Sequence, residues 1–373
     1  MKTLNLANKY RPQRFAEVIG QPVSVKIMVN SVWYHKPRSM LLSGIRGTGK
    51  TTLARLYAKA LNCEKFHELG DVCNECPSCL EGGHPLELDA ASHSGADDAR
   101  TLEGIIRQIP RYKYNVIILD ECHMLSKQAQ SVLLKVLEEA PAHSIFMLAS
   151  TNPEKLLDTV RSRCLSMPLK TVSTADAAWG INMVLEAEGV AAEDGFVDFL
   201  ALNCDGSLRD VYQLLEQLVI SAGDEPLNEA MLEEAVGVIS TAKYKDLAQV
   251  LCAKSYGVSE GLRVAFDEVD RWYRDGYDLQ HIFMAGIPIL LRDFTIRLSG
   301  CYQDGVRYLS GISDEGFASN LTVGMADVKR FTREWERTES MMRTTAHPRI
   351  IWEVFLIKSF ADPGIEDRVA LDY

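Results

Sequence analysis

Three groups of residues in this sequence have the types and the spacing to do chemistry. Gly44-Ile45-Arg46-Gly47-Thr48-Gly49-Lys50-Thr51 fits G-x-x-x-x-G-K-[ST], in which glycines let the backbone curl until successive N–H groups face phosphate oxygens. Lys50 can reach the β- and γ-phosphates of a nucleotide and the Thr51 hydroxyl can ligate Mg²⁺, with Thr52 beside it. Asp120-Glu121 follows an apolar run. There Asp120 would orient the Mg²⁺ shell and Glu121 would activate a water, the difference between a hydrolase and a passive binder. The third group is Cys63-x9-Cys73-x2-Cys76-x2-Cys79. Four thiolates fill the coordination sphere of zinc and leave no open position, so this set reads as a structural site. An iron–sulfur cluster is the alternative for four cysteines, and His67 and His84 are bystanders to a complete Cys₄ set.

These groups need elements to hold them. Ser39–Ser43 is a strand candidate that runs into the Gly-rich loop, and Leu86–Asp89, Val116–Asp120 and Ser144–Ser150 are three more. The unbroken apolar run of Val116–Leu119 predicts a strand buried on both faces, as in a parallel sheet. Gln128–Ala140 places Ala129, Val132, Leu133, Val136 and Leu137 on one helical face, and Pro141 stops it. A helix after the Gly-rich loop would add its positive end to the phosphate site. Short turns with bland carboxylates could give the same residue strings, but not the same order of strand, loop and helix.

From about residue 170 strand signals vanish and helical patterns take over, with breaks near 190–195, 203–207 and 222–226. The expected organisation is an α/β domain over 1–170, a small helical domain over 171–240 and a helical domain over 241–373. No run approaches the roughly 18–20 apolar residues of a membrane span, and the first residues do not read as a signal peptide. An intracellular, cytoplasmic protein is therefore expected. Nine cysteines, five of them scattered, suit a reducing compartment with one metal site. The net charge is −11, yet residues 1–60 carry +10 and leave −21 for the rest. That asymmetry suits local handling of phosphates and argues against a surface coated with nucleic acid.

In order along the chain, these motifs resemble the gamma/tau ATPase subunits of bacterial DNA polymerase III clamp loaders, a family of AAA+ proteins. The resemblance starts at Lys9-Tyr10-Arg11-Pro12 and Phe15–Gln21, and passes through the Gly-rich loop, the Cys₄ insertion and Glu87–Ser92. It continues through Asp120–Ser126, Leu133–Glu139, Ala149–Leu156, Ser162-Arg163-Cys164 and Gly206–Asp210. It is strong over 9–220 and loose after about 242, where Asp275–Leu279, Leu290–Asp293 and the helix after Pro348 are reminiscent of the family's oligomerising collar. Cys122 departs from the family's aliphatic residue, and a free cysteine substitutes as a small hydrophobe.

The resemblance implies an α/β P-loop AAA+ domain with a Cys₄ zinc insertion, then a helical lid domain and an all-α collar. It implies ATP, Mg²⁺ and Zn²⁺ as cofactors. Arg11, Val18 and Ile19 would line the nucleotide pocket with Gly44, Gly47, Thr48, Gly49, Lys50, Thr51, Thr52 and Asp120. Thr151 would be sensor 1, with Ser150 and Asn152 as polar neighbours, and Arg209 would be sensor 2, touching the γ-phosphate. Arg163 would be an arginine finger acting on a neighbouring subunit, a role worth on the order of 10³–10⁵ in rate. The implied partners are other clamp-loader subunits in a hetero-pentamer, a sliding clamp and primer–template DNA contacted through phosphates. Arg100, Arg107 and the Arg111-Tyr112-Lys113 turn are the candidates for that contact. The chain stops near the end of the collar, so a short form, a phage-encoded form or a trimmed one is expected. A non-hydrolysing scaffold subunit and another DNA-directed AAA+ ATPase are the alternatives.

Overall fold

The structure is a computed structural model and describes residues 5–92, 104, 108–202, 206–236, 239, 241–300, 310 and 322–361. The chain divides into two compact units, Met1–Leu227 and Asn228–Tyr373. The division expected at 170 falls inside the first unit, and the one expected at 240 lies thirteen residues beyond the boundary between units.

In the first unit five strands form one parallel sheet: β1 Met40–Ser43, β2 Leu86–Asp89, β3 Asn115–Asp120, β4 Ser144–Ser150 and β5 Leu165–Pro168. Their spatial order is β2-β3-β4-β1-β5. The four anticipated strands form within one residue of their expected ends. All of β4 and Val116–Leu119 of β3 are buried, because helices cover both faces of such a sheet. The fifth strand was not anticipated. It is an edge strand in which Met167 alone is buried, so its sequence carries no apolar run, and Pro168 is tolerated there because an edge needs fewer ladder donors.

Parallel register sets the carboxyl ends of the strands side by side. Ser43 of β1 pairs with Ser150 of β4, and Leu119 of β3 pairs with Leu148. With β4 between them, the loop after β1 and the acidic pair after β3 open on one edge, where open α/β sheets bind ligands. The helix Lys50–Asn62 leaves the Gly-rich loop and the helix Lys127–Glu139 follows the acidic pair, its N-cap Ser126 accepting from the Ala129 N–H at 3.2 Å. That helix ends two residues before Pro141, as the pattern requires.

The rest of the unit is helical, with Thr174–Glu188, Phe196–Leu202 and Leu208–Ala222. Ser173 and Ser207 cap the first and third of these. Past Pro168 the only bridge among the described residues joins Ala192 to Leu227. The second unit is built of helices, among them Thr241–Cys252, Val258–Arg274, Ile287–Ser299, Met325–Thr344 and Pro348–Phe360. Trp352 centres its core, edge-on to Trp272 at 5.7 Å and Phe283 at 5.1 Å, with its indole N–H donating to Leu279 O at 2.9 Å. Among the described residues no helix is long and apolar enough to cross a membrane.

Candidate functional site

The Gly-rich loop adopts the curl its composition permits. Gly47 and Gly49 have φ of 81° and 97°, values that side chains resist. Gly47 also has no room for one: a Cβ there would stand 1.8 Å from the Ser207 hydroxyl. The loop is thereby seated against the N-cap of the helix that carries Arg209. Lys50 is buried at 6% exposure, and its ammonium donates to the Gly44 and Ile45 carbonyls, each at 2.9 Å. Burial lowers the Lys50 pKa, opposed by the charges of Glu121 and Asp120 and reinforced by Arg46. An anion in the loop would meet the same need as those two carboxylates.

The two halves of the expected metal shell touch, with the Thr51 hydroxyl donating to Asp120 Oδ2 at 2.7 Å. Glu121 has a left-handed backbone, φ 47°, unusual for a residue with a side chain. Its own N–H donates to Asp120 Oδ1 at 2.9 Å. The Glu121 carboxylate accepts from the Thr151 hydroxyl at 3.3 Å, so the sensor candidate sits directly behind it. The neighbouring polar candidates are engaged differently: Ser150 Oγ lies 3.3 Å from His123 Nδ1, and Asn152 Oδ1 accepts from Thr151 at 3.1 Å. His123 Nδ1 is also 3.4 Å from Glu121 Oε2. Sequence reasoning did not single out this histidine, and its only signal was its place three residues after Asp120.

A cavity of about 880 Å³ opens over these groups. Its walls include Arg11, Val18, Ile19, Gly47, Thr48, Gly49, Lys50, Thr51, Thr52, Asp120, Glu121 and Arg209. Two expected residues are outside its lining: Gly44, which serves it through the carbonyl to Lys50, and Thr151, which acts on Glu121 from behind. Tyr10 of the opening segment and Arg46 of the Gly-rich loop line it too, and Met183 and Tyr212 do so without having been foreseen. The Arg11 pKa is lowered by burial and by the nearby guanidinium charges of Arg55 and Arg209. Arg55 is paired with Glu87 at 2.7 Å, while Arg11, Lys50 and Arg209 face the cavity, an arrangement that suits a polyanion. The N-terminal rim is pinned by Glu188, which accepts from Lys9 Nζ and the Tyr10 hydroxyl, both at 2.5 Å.

The four cysteines form a second site. All are buried, none is in a disulfide, and their Sγ atoms lie within 4.8 Å of one another. Cys73 and Cys79 sulfurs are 3.7 Å apart, close to the ~3.8 Å edge of a tetrahedron with ~2.3 Å metal–sulfur bonds. This spacing fits one tetrahedral ion better than a cluster with several irons. Cys73 Sγ accepts the Glu75 and Cys76 N–H groups at 3.4 and 3.3 Å. Burial acts to raise the Cys73 pKa, but these N–H donors outweigh it and bring the thiol down to about 6. Burial holds Cys63 and Cys79 up, so four thiolates together require a cation among them. His67 stacks on His35 at 4.3 Å and His84 lines another surface, and neither joins the sulfur cluster.

Arg163 ends the helix Asp158–Arg163, is exposed, lies outside the cavity lining and donates to Glu138 Oε1 at 2.8 Å. Arg111 donates to Glu81 at 2.7 Å and Lys113 is exposed, while Arg100 and Arg107 lie outside the described residues.

A family model described as DNA polymerase III, delta subunit matches residues 20–173. The chain is 38% identical over 266 residues to DNA polymerase III subunit gamma of Buchnera aphidicola, covering 67% of this chain and 71% of that one. It belongs to the gamma/tau family. Another gamma/tau relative, DNA polymerase III subunit tau of Bacillus subtilis, is 32% identical over 363 residues, 94% of this chain. Against Escherichia coli subunit tau the identity is 36% over 253 residues. This gamma/tau chain spans 62% of the length of the Bacillus relative and 39% of the Escherichia relative. A variant of Thermotoga maritima RuvB superposes with a TM-score of 0.50 at 17% identity, covering 74% of this chain and 88% of that one. That likeness is one of fold alone, a parallel sheet flanked by helices.

Proposed function

We infer that this chain is an ATPase motor subunit of a DNA sliding-clamp loader, in which ATP binding opens and loads the clamp and hydrolysis releases it. The observation that carries the reading is the joining of Lys50, the Thr51–Asp120 pair and the Thr151–Glu121 pair at one cavity, in a chain of the gamma/tau family. Lys50 exchanges its carbonyl partners for phosphate oxygens. Thr51 and Asp120 would hold Mg²⁺, which when bound neutralises charge on the β- and γ-phosphates. Glu121 takes the proton of the attacking water as the bond to the γ-phosphorus forms and the bridging bond to ADP breaks. Thr151 holds the Glu121 carboxylate in line, and Arg209 reaches the γ-phosphate from the helix seated on the loop.

Arg163 is on the surface and away from its own cavity, which supports a role on a neighbouring subunit's nucleotide. The Cys₄ geometry supports structural zinc with no role in the reaction. Residues 1–170, 171–240 and 241–373 act as AAA+ domain, lid and collar, and the collar assembles the subunit with different partners into a cytoplasmic hetero-pentamer on primer–template DNA. Arg111 and Lys113 are candidate phosphate contacts.

The test is ATP hydrolysis by the chain with companion subunits, sliding clamp and primed DNA, added singly and together. Strong stimulation only with clamp and primed DNA together, lost in Arg163→Ala, is expected. Turnover indifferent to the clamp would point to another AAA+ motor, and bound ATP without turnover to a scaffold subunit.

A further inference from the structure

The segment that lines the nucleotide cavity has no element of its own to hold it. After Pro12 it makes a single 3₁₀ turn, Phe15–Glu17, before reaching Val18 and Ile19. A turn this short leaves its first N–H groups without partners. Glu17 Oε2 accepts from Gln13 and Arg14 at 2.7 and 3.3 Å. The Phe15 and Ala16 N–H groups instead donate to Oδ1 and Oδ2 of Asp71, at 3.0 and 3.1 Å, across more than fifty residues of sequence.

Asp71 belongs to the loop between Cys63 and Cys73. It is fixed there by Gly70 at φ 72° and by the Val72 N–H, which donates to Asp71 Oδ1 at 2.7 Å. Three residues on, Asn74 donates its side-chain amide to Gln13 O at 3.2 Å. Asn74 holds a left-handed backbone, φ 59°. Beside it the next two N–H groups, of Glu75 and Cys76, are committed to Cys73 Sγ. Phe15 is buried at 3% exposure in the same apolar cluster as all four cysteines, Phe66 and Val72. Apart from the Lys59 ammonium, which donates to Gln13 Oε1 at 3.2 Å, the far-side hydrogen bonds on residues 13–16 come from the loop that carries Cys73.

We propose that the Cys₄ module is a brace for the nucleotide-lining segment, with Asp71 and Asn74 as positioning residues, so that metal occupancy raises nucleotide affinity. This rests on the nucleotide reading of the cavity. With the cysteines held by one ion, loop 71–74 keeps its shape and offers its acceptors at fixed positions. Without the ion nothing ties the four sulfurs together, the loop loses its fixed shape, and Phe15 and Ala16 lose their acceptors. Val18 and Ile19, one and two residues past the turn, then lose their position in the wall. The ordering they would otherwise bring to binding must be supplied by the ligand.

ADP binding by titration calorimetry, on the full chain with metal content measured in parallel, tests this. Asp71→Ala should keep its metal and bind ADP about tenfold more weakly, a fraction of the worth of two charge-assisted bonds because they hold the wall and do not touch the nucleotide. Stripping the metal from the wild type should weaken ADP binding to a similar degree, and stripping Asp71→Ala should add little, the non-additivity of one pathway. Should Asp71→Ala not fold, Asn74→Gly, which keeps the left-handed backbone and drops only the Gln13 bond, should bind ADP about threefold more weakly. Metal-loaded variants that bind ADP like the wild type would overturn the brace. So would a wild type whose affinity is indifferent to metal. Failure of the wild type to bind ADP under any condition would overturn the nucleotide reading and the brace together.

Discussion

The walls of the cavity come from residues as far apart as Lys9 and Tyr212, whereas the four cysteines lie within seventeen residues of one another. The cavity is open, with both apolar and cationic side chains in its walls. The Cys₄ module is closed, and its sulfurs are met by backbone N–H groups of its own loop. A site that must release its ligand depends on the whole sheet for its geometry. A site that keeps its ligand can be written into one loop. The difference predicts that damage to the first costs chemistry while the fold survives, and that damage to the second costs fold before chemistry.

The largest effect expected is on turnover. Glu121→Gln should lower ATP hydrolysis by about 10²–10⁴-fold, the span of general-base catalysis, with ATP binding retained by calorimetry. Next, Lys50→Ala should weaken ATP binding by about 10²-fold, since a buried cation–phosphate contact is lost, while thermal unfolding stays near that of the wild type. Cys76→Ser sharpens the comparison from the other side. It should lose metal and lower the Tm on the order of 10 °C, measured by scanning calorimetry with metal analysis. If it abolished ADP binding as completely as Lys50→Ala, the two regions could not be treated as separate sites.

A smaller effect concerns the rim. Hydrogen bonds from Lys9 and Tyr10 hold the Glu188 pKa below the ordinary carboxylate range. A carboxylate depressed on folding contributes stability that is present above its unfolded pKa and lost as pH falls through the folded one. The Tm difference between wild type and Glu188→Gln should therefore be full above about pH 5 and close as pH drops below about 4. Smallest of all, Glu138→Ala should change unfolding free energy by less than about 1 kcal/mol, because its ion pair with Arg163 is exposed.

Much of this was legible in the sequence, for unequal reasons. The Gly-rich loop, the acidic pair and the Cys₄ set are local strings whose spacing carries their geometry. Arg11 and Arg209 were placed at the cavity by resemblance, and it was the fold that brought them there. The strand Leu165–Pro168 escaped notice because an edge strand with one buried residue has no periodicity to read. His123 escaped because its meaning is a contact with Glu121 and Ser150, on two different strand ends. Met183 and Tyr212 are ordinary core-like residues until the helices bring them to one wall. Asp71 was not singled out, since no string announces a partner more than fifty residues away.

The contact between Gly47 and Ser207 carries a mechanical consequence. With no space for even a methyl group between them, the start of the helix Leu208–Ala222 has no room to come nearer the loop, and a tilt about that point is a motion that keeps the contact. The helix is 15 residues long, so its far end lies about 22 Å from the fulcrum at ~1.5 Å per residue. A tilt of about 10° at Ser207 then becomes a sweep of about 4 Å at Ala222, by lever arithmetic on that length. On the proposed nucleotide reading, a phosphate in the loop would press where such a tilt has the longest arm.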